Sequence, residues 1–263
     1  MIIRLVIVSV CVLIISCTES KTSEDPVNQP QDALDLGLER HGGLDRFRSY
    51  STLEFTLTQG DNSERHIVDL RTRKTRMEGG GYTVGFDGVN AWVHEHGSKY
   101  ERNPRFYNGL YFYFFAIPFV LADPGANREL LPDSEIDGVS YKPVKVWYDV
   151  GTGESANDYY IANFNSDSGL LEFVQYTVTF RSGEPSDNYN AQRYLDWTTV
   201  DGLLVPGRLD AYHWDEATSS FGDKRGSSIF TNIEFADTET SPELFDAPDE
   251  AVLFPPVELS SDK

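Results

Sequence analysis

Apolar positions along the chain change their spacing as the sequence proceeds. In ALDLGLERHGGLDRFRSY, residues 33–50, Leu34, Leu38, Leu44 and Phe47 recur at helical intervals and Gly42-Gly43 interrupts them. That spacing predicts a helix ending at the glycine pair and a short second turn after it. His41, just before the pair, falls in the last turn, where a positive imidazole would suit the helix dipole. From Ser51 the period drops to two. STLEFTLTQ puts Leu53, Phe55 and Leu57 on one face and Thr52, Glu54, Thr56 and Thr58 on the other. RHIVDLRT, GYTVGFDG, NAWVHEHG, SKYER and YKPVKVWYDV continue as short strands, followed by NDYYIANFN, LLEFVQYTVTF, AQRYLDWTTV, LLVPGRLDAYHW and SSIFTNIEFAD. Turn-rich joints such as QGDNS, NSDSG, TVDGL and SSFGDKRG separate them, which predicts an antiparallel meander of about ten or eleven strands.

One stretch breaks the alternation. YNGLYFYFFAIPFVLADPG, residues 107–125, carries no charge between Gly109 and Asp123 and concentrates Tyr111, Phe112, Tyr113, Phe114, Phe115 and Phe119. It is too short for a bilayer span, which needs about 20 apolar residues, and Pro118 interrupts any continuous helix. A long antiparallel sheet must close or curl around something that fills its concave face. This segment, a helix kinked at Pro118 and stopped by DPG, is the predicted filler, with the N-terminal helix sharing that face. The fold class is therefore mainly β: a single curved antiparallel sheet, a half-barrel, wrapped around internal helices.

The ends and the composition narrow the setting. Residues 1–16, MIIRLVIVSVCVLIIS, have one cation, Arg4, before an apolar run, the layout of a signal peptide. LIISC, ending at Cys17, resembles the lipobox of bacterial lipoproteins. The resemblance implies cleavage after Ser16, a lipidated Cys17 and a membrane anchor of two or more acyl chains, which holds stably. Residues 17–31 are polar and free of aromatics, a tether, and the domain proper runs over 32–263. Thr18 after the cysteine implies, by analogy with lipoprotein sorting, an outer-membrane location facing the periplasm. The remaining cysteine, Cys11, falls in the removed segment, so the mature domain has no thiol for a disulfide or a nucleophile. A net charge of −20 repels nucleic acid and anionic surfaces, excluding a nucleic-acid partner.

Beyond this point the residues resemble a family. YLDWTTVDGLLVPGRLDAYHWDE and SSIFTNIEFADTETSPELFDAP, after a helix with HGG and an internal apolar segment, look like the half-barrel of the LolA and LolB lipoprotein carriers and related lipoprotein-sorting proteins. FYFFAIPFVLADPG looks closest to an uncharacterised group of Bacteroidota lipoproteins. The resemblance implies a non-catalytic monomer that holds an acyl chain, lipid or lipoprotein in its concave face. The lining it implies is Tyr111, Phe112, Phe115 and Phe119, with Trp92 and Trp147 on strands. Tyr107, Tyr111 and Tyr113 suit a partly polar rim.

Rival chemistry is sparse. His94 and His96 project from the same face of a strand, and with His66 or His213 they would make a zinc site and a metal-dependent enzyme. No GxGxxG, Walker motif or nucleophile elbow is present, so no cofactor and no catalytic set is expected. The third reading is an envelope interaction or sensory module with a packed interior and a protein partner.

Overall fold

The computed structural model describes residues 32–149, 157–180, 182–184, 186 and 188–256. The signal segment 1–16, Cys17 and the tether 17–31 lie outside the described residues. Two short helices open the domain, α1 (Ala33–Arg40) and α2 (Leu44–Ser49). Five strands follow, β1 (Thr52–Gln59), β2 (Asn62–Asp69), β3 (Thr75–Glu78), β4 (Tyr82–Phe86) and β5 (Ala91–Glu95). The apolar segment comes next as α3 (Pro104–Ala116) and a 3-10 turn (Phe119–Ala122), joined through Ile117 and Pro118. The second half supplies β6 (Ala126–Leu130), β7 (Ser134–Ile136), β8 (Val139–Tyr148), β9 (Tyr160–Asn165), β10 (Leu171–Tyr176) and β11 (Asn190–Leu195). Then come β12 (Thr198–Val200), β13 (Leu203–Val205), β14 (Arg208–Asp215), β15 (Ser220–Ala236), a second 3-10 turn (Pro242–Phe245) and β16 (Val252–Phe254).

Fourteen strands form one antiparallel sheet whose main path is β16-β5-β4-β3-β2-β1-β15-β14-β11-β10-β9-β8-β6, with β7 added on β8 and β12-β13 a separate ribbon. Two meanders thus meet at the β1·β15 seam, where Leu57 opposes Phe230 and Leu53 opposes Phe235. The path ends at β16 and β6 without joining them, so the sheet is open.

Its curvature follows from what α3 touches. Eleven strand spacings separate β5 from β6 along the path, about 50 Å in a flat sheet. Yet α3 packs on β3, β4 and β5, Phe115 stacks on Phe55 of β1 at 5.1 Å, and Phe114 meets Tyr176 of β10 at 4.7 Å. Tyr113 reaches Tyr160 of β9 at 5.0 Å. A helix about 10 Å wide touches all of these walls only if the sheet curls around it. The expected half-barrel and its helical filler are both present; the helix starts at Pro104, ahead of the expected segment, so Gly109 lies inside it.

The strands are more numerous than periodicity shows. SKYER is not a strand but the approach to α3, and SSFGDKRG is not wholly a turn, since β15 starts at Ser220. The helix α1 packs on β8 and β9. A Cβ on its Gly37 would lie 2.2 Å from the Phe164 ring, so only glycine lets the two backbones approach this closely.

His41 caps α1 but is fully buried, against Trp197 at 4.8 Å. Its Nδ1 donates to the Gly37 carbonyl at 2.7 Å. Burial drives its pKa down to about 4, with the bond to Gly37 pulling the other way. The imidazole is therefore neutral, and the expected helix-dipole charge is absent, because desolvation outweighs an end-of-helix attraction of about 1 kcal/mol.

Two outcomes are expected. Phe115→Ala empties a site 1 % exposed and costs about 3–5 kcal/mol in urea unfolding, whereas Trp147→Ala, at a half-buried position, costs clearly less. Second, the unfolded chain binds more protons than the folded one between pH 6.5 and about 4 at His41. Stability from this group is complete above that window and falls as pH drops through it. Between pH 7 and pH 5 the loss is about 2 kcal/mol, and His41→Gln removes this part of the pH dependence, leaving that of His66, whose pKa is also depressed by burial.

Candidate functional site

The site is built on α3. Asn103 caps it, its Oδ1 accepting from the backbone N–H of Arg105 and Phe106, and Pro104 occupies the first turn, where a missing N–H costs nothing. From that start the helical repeat divides the residues into three. Phe115 points inward and is 1 % exposed, as is Phe119 of the following turn, which stacks on Phe47 of α2 at 4.6 Å. Tyr107, Tyr111 and Phe114 face one flank, and Asn108, Phe112 and Tyr113 the other. Phe106 and Leu110, one helical turn apart, are half-buried and form the outer ridge between the flanks.

Each flank opens into a cleft. The first, about 690 Å³, lies between α3 and strands β10, β11, β14 and β15, with Phe114, Tyr176, Gln192 and Ala211 among its walls and Arg225 the charged side chain among its described lining residues. The second, about 520 Å³, lies toward β4, β8 and β9 and is walled by Phe86, Phe112, Tyr113, Val120, Tyr148 and Tyr160. Arg71, Arg73, Arg105, Asp123 and Asp158 stand around it. Both volumes are in the range of small-molecule sites, and Phe106 and Leu110 line both clefts.

Three of the tyrosine hydroxyls inside have defined partners. Tyr148 donates to the Val120 carbonyl at 2.9 Å, Tyr113 bonds Tyr148 at 2.6 Å, and Tyr194 donates to the Phe114 carbonyl at 2.8 Å. Burial pushes Tyr148 up to about 12 and Tyr113, Tyr160 and Tyr194 well above the usual phenol value. They stay neutral donors, and none is poised as a base or nucleophile.

At the start of α3 sits a buried polar network. Glu64, 3 % exposed, accepts from Tyr82 Oη at 2.6 Å and pairs with Arg102, whose guanidinium lies 5.2 Å from the rings of both Tyr100 and Tyr107. Burial alone would raise the Glu64 pKa. Contacts with His66 and Tyr82 and the Arg102 charge overcome it and hold the carboxyl below its usual range. His66 Nε2 stands 3.6 Å from Glu64, and burial keeps this imidazole below its ordinary value. The network fixes the entry to the helix.

Of the expected lining, the structure brings Tyr111 to the first cleft and Phe112 to the second. Phe115 and Phe119 are packed core. Trp92 and Trp147 are corrections. Directly opposed residues share a face, which links the inward Phe55 through His66, Met77 and Val84 to Val93. Trp92 is out of phase with that row: it lies over Gly85 and donates Nε1–H to the Phe245 carbonyl at 2.9 Å on the convex side. Trp147 likewise alternates with Val146 and Tyr148, which face inward. Tyr107 and Tyr113, expected at a rim, line the first and second clefts respectively. Leu110, Phe114, Tyr148, Tyr160, Tyr176 and Arg225 were not anticipated as lining; phasing the helix from the Asn103-Pro104 cap would have revealed the first two.

The zinc alternative loses its partners. His94 and His96 share the Trp92 face, their rings 5.4 Å apart, while His66 is on the opposite face and His213 lies on β14, six strands along the sheet. Among the described residues no group of three metal-ligating side chains converges.

No protein-family model and no curated protein sequence matches the chain. Among solved structures, it resembles a LolA superfamily protein from Nitrosomonas europaea with a TM-score of 0.52 at 12% identity, covering 82% of this chain and 98% of that one. A DUF1329 family protein from Desulfovibrio piger is similar at a TM-score of 0.47 and 12% identity, with 82% of this chain and 98% of that chain covered. The chain has the LolA-like fold: one large, open antiparallel sheet around internal helices.

Proposed function

We propose that this chain is a non-catalytic binder or carrier of an apolar ligand, an acyl chain or lipid, held in the concave face of the half-barrel beside α3. The observation that carries this reading is the pair of clefts flanking α3, each lined by aromatic side chains of the helix and bordered by polar groups. A module with a packed interior and an outward partner surface has no use for them. Binding draws on the burial of chain methylenes, about 0.8 kcal/mol each. The fold shared with a LolA superfamily protein is consistent with carriage.

The setting is proposed from the sequence. Processing after Ser16 and acylation of Cys17 anchor the domain in the cell envelope, with Thr18 directing it to the periplasmic face of the outer membrane. The domain acts as a monomer on its tether.

Two measurements test these claims. A dansyl-labelled fatty acid should gain fluorescence on binding and be displaced by unlabelled oleate. Leu110→Asp, which puts a charge on the ridge shared by both clefts, should weaken it by about tenfold or more, while Trp147→Ala on the convex face leaves it unchanged. Absence of any saturable probe binding, with no lipid in organic extracts of the purified protein, refutes carriage. For the anchor, labelled palmitate should be incorporated by the wild type and lost in Cys17→Ser, which then leaves the membrane fraction.

A further inference from the structure

We infer that the ligand is a two-chained amphiphile that straddles α3, one apolar chain in each cleft. This deepens the binding role proposed above and rests on it. The two clefts are separate spaces of similar size, about 690 and 520 Å³, on opposite flanks of one helix. They meet at the same two side chains, Phe106 and Leu110, which line both and remain half-exposed. A single chain fills one cleft and leaves the other open. Two chains leaving a common head over that ridge fill both.

Two glycines keep these spaces open. Gly109 lies within α3 and lines the second cleft, and Gly226 lies on β15 and lines the first. A Cβ built at either meets nothing within 4 Å, and neither has a positive φ. Gly109 is costly as a helix residue, because only proline is a poorer helix former. Neither a tight contact nor a special backbone angle accounts for it; it leaves side-chain-sized room in the cleft wall.

The rim chemistry suits an anionic head. In a chain with 42 acidic and 22 basic residues, the two linings reverse the balance, with four arginines against two carboxylates. Arg225, exposed and bonded to Asn190 at 2.6 Å, borders the first cleft, and Arg71, paired with Glu239, and Arg73, paired with Asp123, border the second. Linking two chains through one head makes the second insertion intramolecular, which raises affinity without a new type of contact.

The test uses the full chain and the dansyl-labelled fatty acid. Dioctanoyl phosphatidylglycerol and its single-chain lyso form compete for the site, both kept below the concentration at which they aggregate. The two-chain lipid should displace the probe at about tenfold lower concentration than the lyso form. Gly109→Trp fills the second cleft and Gly226→Trp the first. Each should remove most of that advantage, while lyso-lipid binding through the remaining cleft stays within about threefold of wild type. Circular dichroism and urea unfolding confirm that each variant folds; if one does not, Gly109→Leu or Gly226→Leu replaces it. Equal competition by the two lipids in the wild type, or loss of the advantage in only one variant, overturns the two-chain assignment and leaves single-chain binding intact. Failure of the probe itself to bind overturns the underlying reading and this inference with it.

Discussion

Strands β5 and β6 follow one another in the chain but stand near opposite margins of the sheet. The connection between them has to cross the whole structure. Running over the concave face, it must shed charge and bury aromatic surface, and a helix does this while satisfying its own backbone. The uncharged run from Gly109 to Ala122 is the sequence consequence of that path. The curl of the sheet is its structural consequence, since Phe115, Phe114 and Tyr113 reach walls that a flat sheet would hold far apart. Curvature, filler and clefts are one solution to a problem of connectivity.

Crossing an apolar interior leaves a polar debt at the end of the helix, where the last carbonyls have no N–H above them. Tyrosines on the surrounding strands answer it. Tyr194 donates to Phe114, and Tyr148 to Val120 just beyond, with Tyr113 joined to Tyr148. Phenols suit the task because they combine a large apolar body with one donor. The same residues therefore line clefts that read as greasy while carrying hydroxyls, and their pKa values, raised by burial, keep them neutral at any physiological pH.

What the sequence revealed, and what it hid, follows from which signals were clean. Period-two alternation marked β1 well because its outer face is threonine and glutamate over an inner Leu53, Phe55 and Leu57. In β5 it failed: Ala91, Trp92 and Val93 are all buried, so hydrophobicity does not alternate and nothing local says which face Trp92 takes. The C-terminal segment around Phe245 covers the convex side there, a long-range fact. Short strands such as β6 and β16 have too few residues to show a period. GDKRG looked like a turn because it is charged and glycine-bracketed, but a strand with exposed residues tolerates such a sequence. The apolar helix was legible as a filler, and its two flanks were not. Taking the apolar segment from Tyr107, with no helix start fixed at Pro104, left out Phe106 and with it the phase that separates core from cleft.

How α3 is held explains why its flanks can remain open. A helix seated by packing alone would pull the neighbouring walls onto itself, since an unfilled apolar space forfeits contacts on every side. Here directional bonds pin both ends. Arg102 ties the approach to Glu64 on β2, and Arg105 donates to the Val89 and Phe254 carbonyls. At the far end Arg48 donates to the Ala122 carbonyl at 2.8 Å, and Arg73 bridges to Asp123 at 2.6 Å. Between these anchors, Phe112, Phe114 and Phe115 join the core and seat the helix. A position such as Gly109, where a Cβ would meet nothing within 4 Å, can omit a side chain without loosening it. Arginines that in another acidic protein would be spread over the surface are gathered around one helix, where they fix it in place and leave a local positive border to the spaces beside it.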